Sequence, residues 1–299
     1  MEEKHGEKSR WKLFIEDISV LQLVLSFLLM AVSCLVLMIY LMFTPLWPIP
    51  TLYFTWQLVD WDSPERGFKQ TQRKHVRNGS MQRLTVSPSH TQTPDIVKKW
   101  QKNAFVRRWR VWKHFKDYFP VKLVKTAELN PSKNYILGCH PHGIMSIGAF
   151  SCFNTDTGGF EQMFPGMHSS LAILAGLFRI PLFREYVMSA GLLPVSKAAL
   201  GYMLSQKGVG NAIVIIIGGA EESLASSPGI NTVVMKHRKA LFVSLWRTVG
   251  SPISVPHVCN PSEQQVDHYH KLYMESLSKL FHAHKSSSGL ADTHQLRII

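Results

Sequence analysis

No charged residue occurs between Asp17 and Asp60. That excludes an ordinary amphipathic, half-solvated surface over this part of the chain. Cysteine is scarce as well: Cys34, Cys139, Cys152 and Cys259 form no C-x-x-C pair, which excludes a zinc knuckle and a disulfide framework. Acid is in deficit, with 20 Asp+Glu against 33 Lys+Arg and a formal net charge of +13. Such a balance suits an anionic partner: nucleic acid, a membrane surface or a polyanionic cofactor. There is no internal repeat and no low-complexity tract. Hydrophobic residues make up 45% of the 299, which excludes a disordered chain.

The uncharged region is apolar from Ile18 to Phe43, longer than the roughly 20 residues that a bilayer span needs. It is too long for a cleaved leader, and no small-residue cleavage site follows it. Pro45, Pro48 and Pro50 break the run, and a second apolar stretch covers Thr51 to Val59, amid Trp47, Tyr53, Trp56 and Trp61. Such aromatics favour the membrane–water boundary. Basic residues flank both sides: Lys4, Lys8, Arg10 and Lys12 before, Arg66, Lys69, Arg73, Lys74 and Arg77 after. By the positive-inside tendency both flanks face the cytosol, so residues 18–61 read as a membrane hairpin behind a cytosolic tail, 1–17. A single signal-anchor helix is the alternative.

Residues 62–97 are polar and read as a solvated linker. From Lys98 to Lys116 basic residues interleave with Trp100, Phe105, Trp109, Trp112 and Phe115. The spacing of Phe105, Trp109 and Trp112 predicts an aromatic face on a basic helix, suited to a membrane surface. Nucleic acid binders use the same residue types; an anchored chain favours lipid.

Two blocks carry chemistry. Asn134 to Cys139 reads as a short buried strand, and His140-Pro141-His142-Gly143 follows at its end. Loops at the carboxyl ends of strands are rigidly held sites for active residues. Histidine titrates near neutrality and can take a proton from an alcohol. Pro141 fixes its own φ, and Gly143 lets a substrate approach the backbone. Two histidines so spaced also suit a metal pair or an exposed loop. Asn211 to Ile217 is a continuous apolar, largely β-branched run, as in a strand buried on both faces. It ends in Gly218-Gly219-Ala220-Glu221-Glu222-Ser223, a tight turn followed by carboxylates. Between the blocks, Arg184 and Glu185 read as a buried or site-wall ion pair. Farther on, Asn260-Pro261-Ser262-Glu263 predicts a helix start, with Asn260 as cap and Pro261 in the first turn. Val266, Tyr269, Tyr273, Leu277, Leu280 and Phe281 form its apolar stripe, with no chemistry assigned.

These residues resemble the type 2 diacylglycerol acyltransferases and their monoacylglycerol and wax-alcohol relatives. The matching pieces are Leu52-Tyr53-Phe54-Thr55-Trp56 with Asp60-Trp61, Trp112 to Pro120, Tyr135 to Phe150, Phe183-Arg184-Glu185-Tyr186, Gly208 to Asn211, and Gly218-Gly219 through Glu222-Ser223. The resemblance implies an α/β acyltransferase-like domain, 98–299, behind the N-terminal hydrophobic hairpin. It implies an enzyme of the endoplasmic reticulum membrane and lipid droplets, with both termini cytosolic. It places His140 and His142 at the active site, and its glutamate falls on Glu222 rather than Glu221. The chain departs from the family in three places. A polar insertion spans Phe68 to Lys102, Ala240 replaces a glycine, and a long block with a Phe-Gly-Glu-x-Glu motif is missing near 240–250.

The function expected is O-acyl transfer from acyl-CoA to a mono- or diacylglycerol or a long-chain alcohol. His140, His142 and Glu222 are the catalytic candidates; Gly143, Arg184, Glu185, Gly218 and Gly219 are the binding candidates. No metal and no cofactor beyond the cosubstrate acyl-CoA are expected, and no nucleic acid. No Ser or Cys sits in a nucleophile elbow, so direct transfer is expected rather than a covalent intermediate. Two other readings stand beside it: an inactive membrane-anchored variant that assembles with itself or with full-length relatives, and a metal-dependent hydrolase.

Overall fold

The computed structural model describes residues 9–61, 63–65, 106–119, 121–143, 145–205, 208–224, 231–234, 248–256, 258, 261–288, 290–291 and 293–299. The linker expected at 62–97 falls almost wholly outside these residues, as does most of the segment expected to be shortened near 240–250. The chain divides into two compact units, 1–120 with 173–208, and 121–172 with 209–299.

Among the described residues, one helix is long and apolar enough to cross a membrane: Arg10–Met42 in the first unit, 33 residues, whose most apolar stretch has a mean hydropathy of 2.7. It starts at Arg10, eight residues before the uncharged run, because Arg10 to Asp17 continue the same helical turns, with charged side chains among Trp11, Leu13, Phe14 and Ile15. A single π turn, Ser26–Met30, interrupts it. The Ser26 hydroxyl donates to the Gln22 carbonyl at 2.7 Å and accepts from the Gln22 amide at 3.0 Å, and side chains that enter the backbone ladder in this way widen a turn. Leu28, Val32, Val36 and Tyr40 stay more than half exposed, a surface suited to hydrocarbon. A second helix, Pro48–Val59, opens on Pro48 and has only 12 residues, about 18 Å, too short to span alone. Phe178, Phe183 and Val187 form a buried cluster against which Met30 and Ala31 of the long helix pack.

The basic segment departs from expectation. Phe105 lies outside the described residues, and the helix runs only over Val111–Tyr118. Trp109 precedes it, and Trp112 and Phe115 are buried at 1% exposure. Of the expected aromatic face, Trp112 therefore packs into the protein with Phe115, while Trp109 keeps 37% of its surface exposed. Lys12 pairs with Asp117 at 3.5 Å, tying this helix to the start of the long one.

The second unit is built on three parallel strands ordered Tyr135–Cys139, Asn211–Ile216, His168–Ile173. The central strand is the most apolar: Ala212, Ile213 and Val214 are fully buried, as expected for a parallel strand covered on both faces. Leu137 and Leu171 flank Val214 in register. Asn134 sets that register, its side-chain oxygen accepting from the Asn211 backbone N–H at 2.9 Å and side-chain amide at 3.0 Å.

The last helix, Glu263–His284, starts two residues later than the sequence suggests. Ser262 is its cap rather than Asn260. The Ser262 hydroxyl accepts from Gln265 N at 3.2 Å, and the Gln265 side chain accepts from Ser262 N at 2.9 Å. This reciprocal pair satisfies two first-turn donors at once, which Pro261 cannot do. Tyr273 and Leu277 on its apolar stripe pack against Ile217 and Val233.

Candidate active site

Parallel pairing puts the carboxyl ends of the Tyr135–Cys139 and Asn211–Ile216 strands at one edge, with Cys139 opposite Ile216. His140 leaves the first strand there, and Gly218 leaves the central strand two residues after Ile216. Two segments about eighty residues apart in sequence thus meet because their strands are neighbours. The His140–Pro141 peptide is cis and Gly143 has φ +56°, a conformation that glycine adopts without strain. Apart from Gly143 itself and its two chain neighbours, no heavy atom of the described residues lies within 4 Å of the place a Gly143 Cβ would take. The Ser146 hydroxyl donates to the His142 carbonyl at 3.0 Å and closes the turn.

Glu222 is the hub. It is fully buried, and one carboxylate oxygen accepts the His142 backbone N–H. The other accepts the Val234 N–H at 3.0 Å and lies 3.4 Å from His140 Nδ1. Burial pushes its carboxyl upward, but the His140 hydrogen bond and charge and the two backbone donors outweigh it, so the carboxyl sits below its ordinary value. An ionised Glu222 can only accept, so a His140 proton sits on Nδ1. In that tautomer His140 Nε2 accepts from the Tyr273 hydroxyl at 3.0 Å. Burial, with Cys139 and Glu222 adding to it, holds the Tyr273 phenol well above its usual range, so it stays a donor.

The two histidines differ. His140 is 2% exposed and engaged at both ring nitrogens. His142 is only half-buried, and its Nδ1–H donates to the Gly143 carbonyl at 2.6 Å. That bond leaves the lone pair of the neutral ring on Nε2.

Of the residues singled out from sequence, the structure gathers His140, His142, Gly143, Gly218, Gly219 and Glu222 at this edge. Gly218 is shaped by Glu222: a Cβ there would collide with the Glu222 side chain. Gly219 has φ +60° and opens the short helix that carries Glu222. Glu221 points to solvent.

Arg184 and Glu185 belong to the first unit and form the expected ion pair, though a long one: Arg184 Nε is 4.0 Å from Glu185 Oε1, beyond hydrogen-bond reach. Their hydrogen bonds go elsewhere: Arg184 bonds the Asp60 carboxylate, and the Asp60 carbonyl at 2.8 Å, while Glu185 accepts from the Tyr53 hydroxyl at 2.7 Å. Neighbours in a helix splay apart by about 100°, so each finds a partner across the unit. They tie the Pro48–Val59 helix and its end to the Phe183–Ser189 helix.

Sequence reasoning missed Tyr273 and the Val234 N–H. The aromatic in the stripe Tyr269, Tyr273, Leu277 was the available sign, since a buried tyrosine hydroxyl requires a partner. Among the described residues, no group of three or more His, Cys, Asp or Glu side chains is placed to hold a metal ion.

The diacylglycerol acyltransferase family model matches residues 90–246 and 243–299. The chain belongs to the diacylglycerol acyltransferase family. It is 36% identical to diacylglycerol O-acyltransferase 2 of Xenopus laevis, over 95% of this chain and 89% of that protein. Identity to the Homo sapiens protein of the same name is 35%, covering 95% of this chain and 82% of the relative. Human 2-acylglycerol O-acyltransferase 3 is 34% identical, over 95% of this chain and 94% of its own length. No solved structure matches. Within this family match, His140, His142 and Glu222 fall in the first piece and Tyr273 in the second. The two pieces meet at 243–246, and the 354-position alignment to the Xenopus laevis relative exceeds the 299 residues of this chain, so the relative carries segments absent from it.

Proposed function

We propose that this chain is an acyl-CoA-dependent O-acyltransferase of neutral lipid synthesis, transferring a fatty acyl group to the hydroxyl of an acylglycerol or a long-chain alcohol at the His140–Glu222 site. One observation carries the choice of site: a single buried carboxylate, Glu222, binds both histidine positions of the His-Pro-His-Gly loop. His142 is the base, because its ring is half-exposed and its Nδ1 proton is committed to Gly143. Its Nε2 takes the acceptor's hydroxyl proton while the oxygen attacks the thioester carbonyl carbon. The tetrahedral oxyanion lies beside Gly143, where the backbone is open and amides can donate to it. The C–S bond then breaks, and CoA leaves as a thiolate that takes the proton from His142. Glu222 holds the loop in place and does not itself move a proton.

The architecture proposed is an acyltransferase-like α/β domain anchored by the Arg10–Met42 helix and the Pro48–Val59 helix as a hydrophobic hairpin in the endoplasmic reticulum membrane, both termini cytosolic, with access to lipid droplets. The basic flanks on either side of residues 18–61 support that orientation. Basic residues at the membrane surface hold the phosphates of CoA.

The test is turnover by the purified chain in lipid vesicles, with labelled acyl-CoA and monoacylglycerol, diacylglycerol or fatty alcohol as acceptor. Labelled product with at least one acceptor is expected. A second reading has its own support in the segments that the relatives carry and this chain lacks: a silent variant that assembles with full-length relatives. It predicts no product from any acceptor together with co-purification of a full-length relative.

A further inference from the structure

Tyr273 sits on the Glu263–His284 helix, 133 residues from His140 in sequence, and is fully buried. Its ring packs with Ile217, Val233 and Leu277. Packing alone explains an aromatic ring there, and phenylalanine would fill the same space. It does not explain the hydroxyl, since burying one without a partner costs stability. That hydroxyl lies 3.0 Å from His140 Nε2, on the side of the ring opposite Glu222.

We propose that Tyr273 is a positioning residue for acyl transfer: it closes a Glu222–His140–Tyr273 chain that holds the His-Pro-His-Gly loop so that His142 meets the acceptor. The chain joins three elements, namely the end of the Tyr135–Cys139 strand, the Gly219–Leu224 helix and the C-terminal helix. His140 is the middle link. Held at both ring nitrogens, it cannot turn about its Cβ–Cγ bond. Glu222, held by His140 and Val234 on one oxygen, keeps its other oxygen on the His142 N–H. The C-terminal helix therefore acts on a base that it does not touch. Tyr273 itself has no exposed surface and cannot meet substrate.

This rests on the proposed acyl transfer at His142. Its test is Tyr273→Phe, which removes one oxygen and keeps the ring, in the vesicle assay. The expected result is a fall in kcat of about tenfold, a KM for acyl-CoA unchanged within about twofold, and a melting temperature lowered by only a few degrees, with the variant folded at the assay temperature. In a His140→Ala background the same exchange has no further effect, because the link through which it acts is gone. Full kcat in Tyr273→Phe overturns the proposal, as does an equal loss in the His140→Ala background. Should Tyr273→Phe not fold, 3-fluorotyrosine at 273 keeps the shape and makes the hydroxyl a stronger donor. A changed kcat then supports the link, and an unchanged kcat overturns it. If His140→Ala and His142→Ala are both fully active, the acyl-transfer site itself is wrong, an outcome distinct from an active Tyr273→Phe beside inactive histidine variants.

Discussion

Gly218 and Glu222 occupy each other's space: a Cβ on Gly218 would fall on the Glu222 side chain, whose oxygens are already bonded to His142, Val234 and His140. Glu222 cannot step aside without giving up those bonds. Gly218→Ala is therefore expected to cost roughly 1–3 kcal/mol of stability, as overpacked cores do, and to lower acyl transfer more than it lowers stability. Thermal melts alongside turnover check it. A variant with parental melting and parental turnover would show that the contact is slack.

Acid exposes the same carboxylate. The Glu222 carboxyl is held below the 4.5 it would otherwise have, so the unfolded chain takes up its proton more readily than the folded one. The stability it contributes is complete above the unfolded value and is lost as pH falls through the folded pKa. Melting temperature is expected to fall on acidification below about pH 5, and Glu222→Gln is expected to flatten that fall while melting lower at pH 7. An identical pH slope in parent and variant would contradict it.

Arg184 is buried at 1% exposure with the Asp60 carboxylate as its counter-charge. Removing one partner strands the other, at a cost of roughly 3–5 kcal/mol for a buried pair. Asp60→Ala and Arg184→Ala are each expected to melt far below the parent. The double variant should be less destabilised than the two single losses added together. Additive losses would mean that the two side chains do not depend on each other.

Burial, with Cys152 and Glu222 nearby, pushes the Cys139 thiol up to about 12. At pH 8 it carries almost no thiolate, the reactive form. Mass spectrometry after brief iodoacetamide treatment of the folded chain should find Cys139 unmodified, and modified once urea is present. Rapid labelling of the folded chain would contradict the burial and the raised pKa together.

Several parts of this architecture can be read from residue order. The apolar stretch from Ile18 to Phe43 announces its helix because no charge interrupts it. The strands ending at Cys139 and Ile216 show as short, largely apolar runs before turn residues, the usual form of buried parallel strands. That they lie side by side, and so bring His140 to Glu222, shows in the sequence only through family resemblance. The ion pair of Arg184 with its neighbour Glu185 is legible in the sequence, but the hydrogen-bonded partner Asp60 is 124 residues away, a pairing that no local pattern encodes. Tyr273 was hidden for a different reason: in an apolar stripe its ring reads as packing, and only three-dimensional structure reveals where its hydroxyl goes. For the basic helix, spacing reports that aromatics share a face, not whether each meets lipid or protein: Trp112 is buried while Trp109 stays 37% exposed.

The most direct measurement is acyl transfer by His140→Ala and His142→Ala, purified into vesicles and compared with the parent chain using labelled acyl-CoA and the three acceptors. Loss of product in His142→Ala beyond about a hundredfold, with a smaller loss in His140→Ala and both variants folded, is the predicted result for a base and its support. Parental turnover in both histidine variants would contradict the site outright.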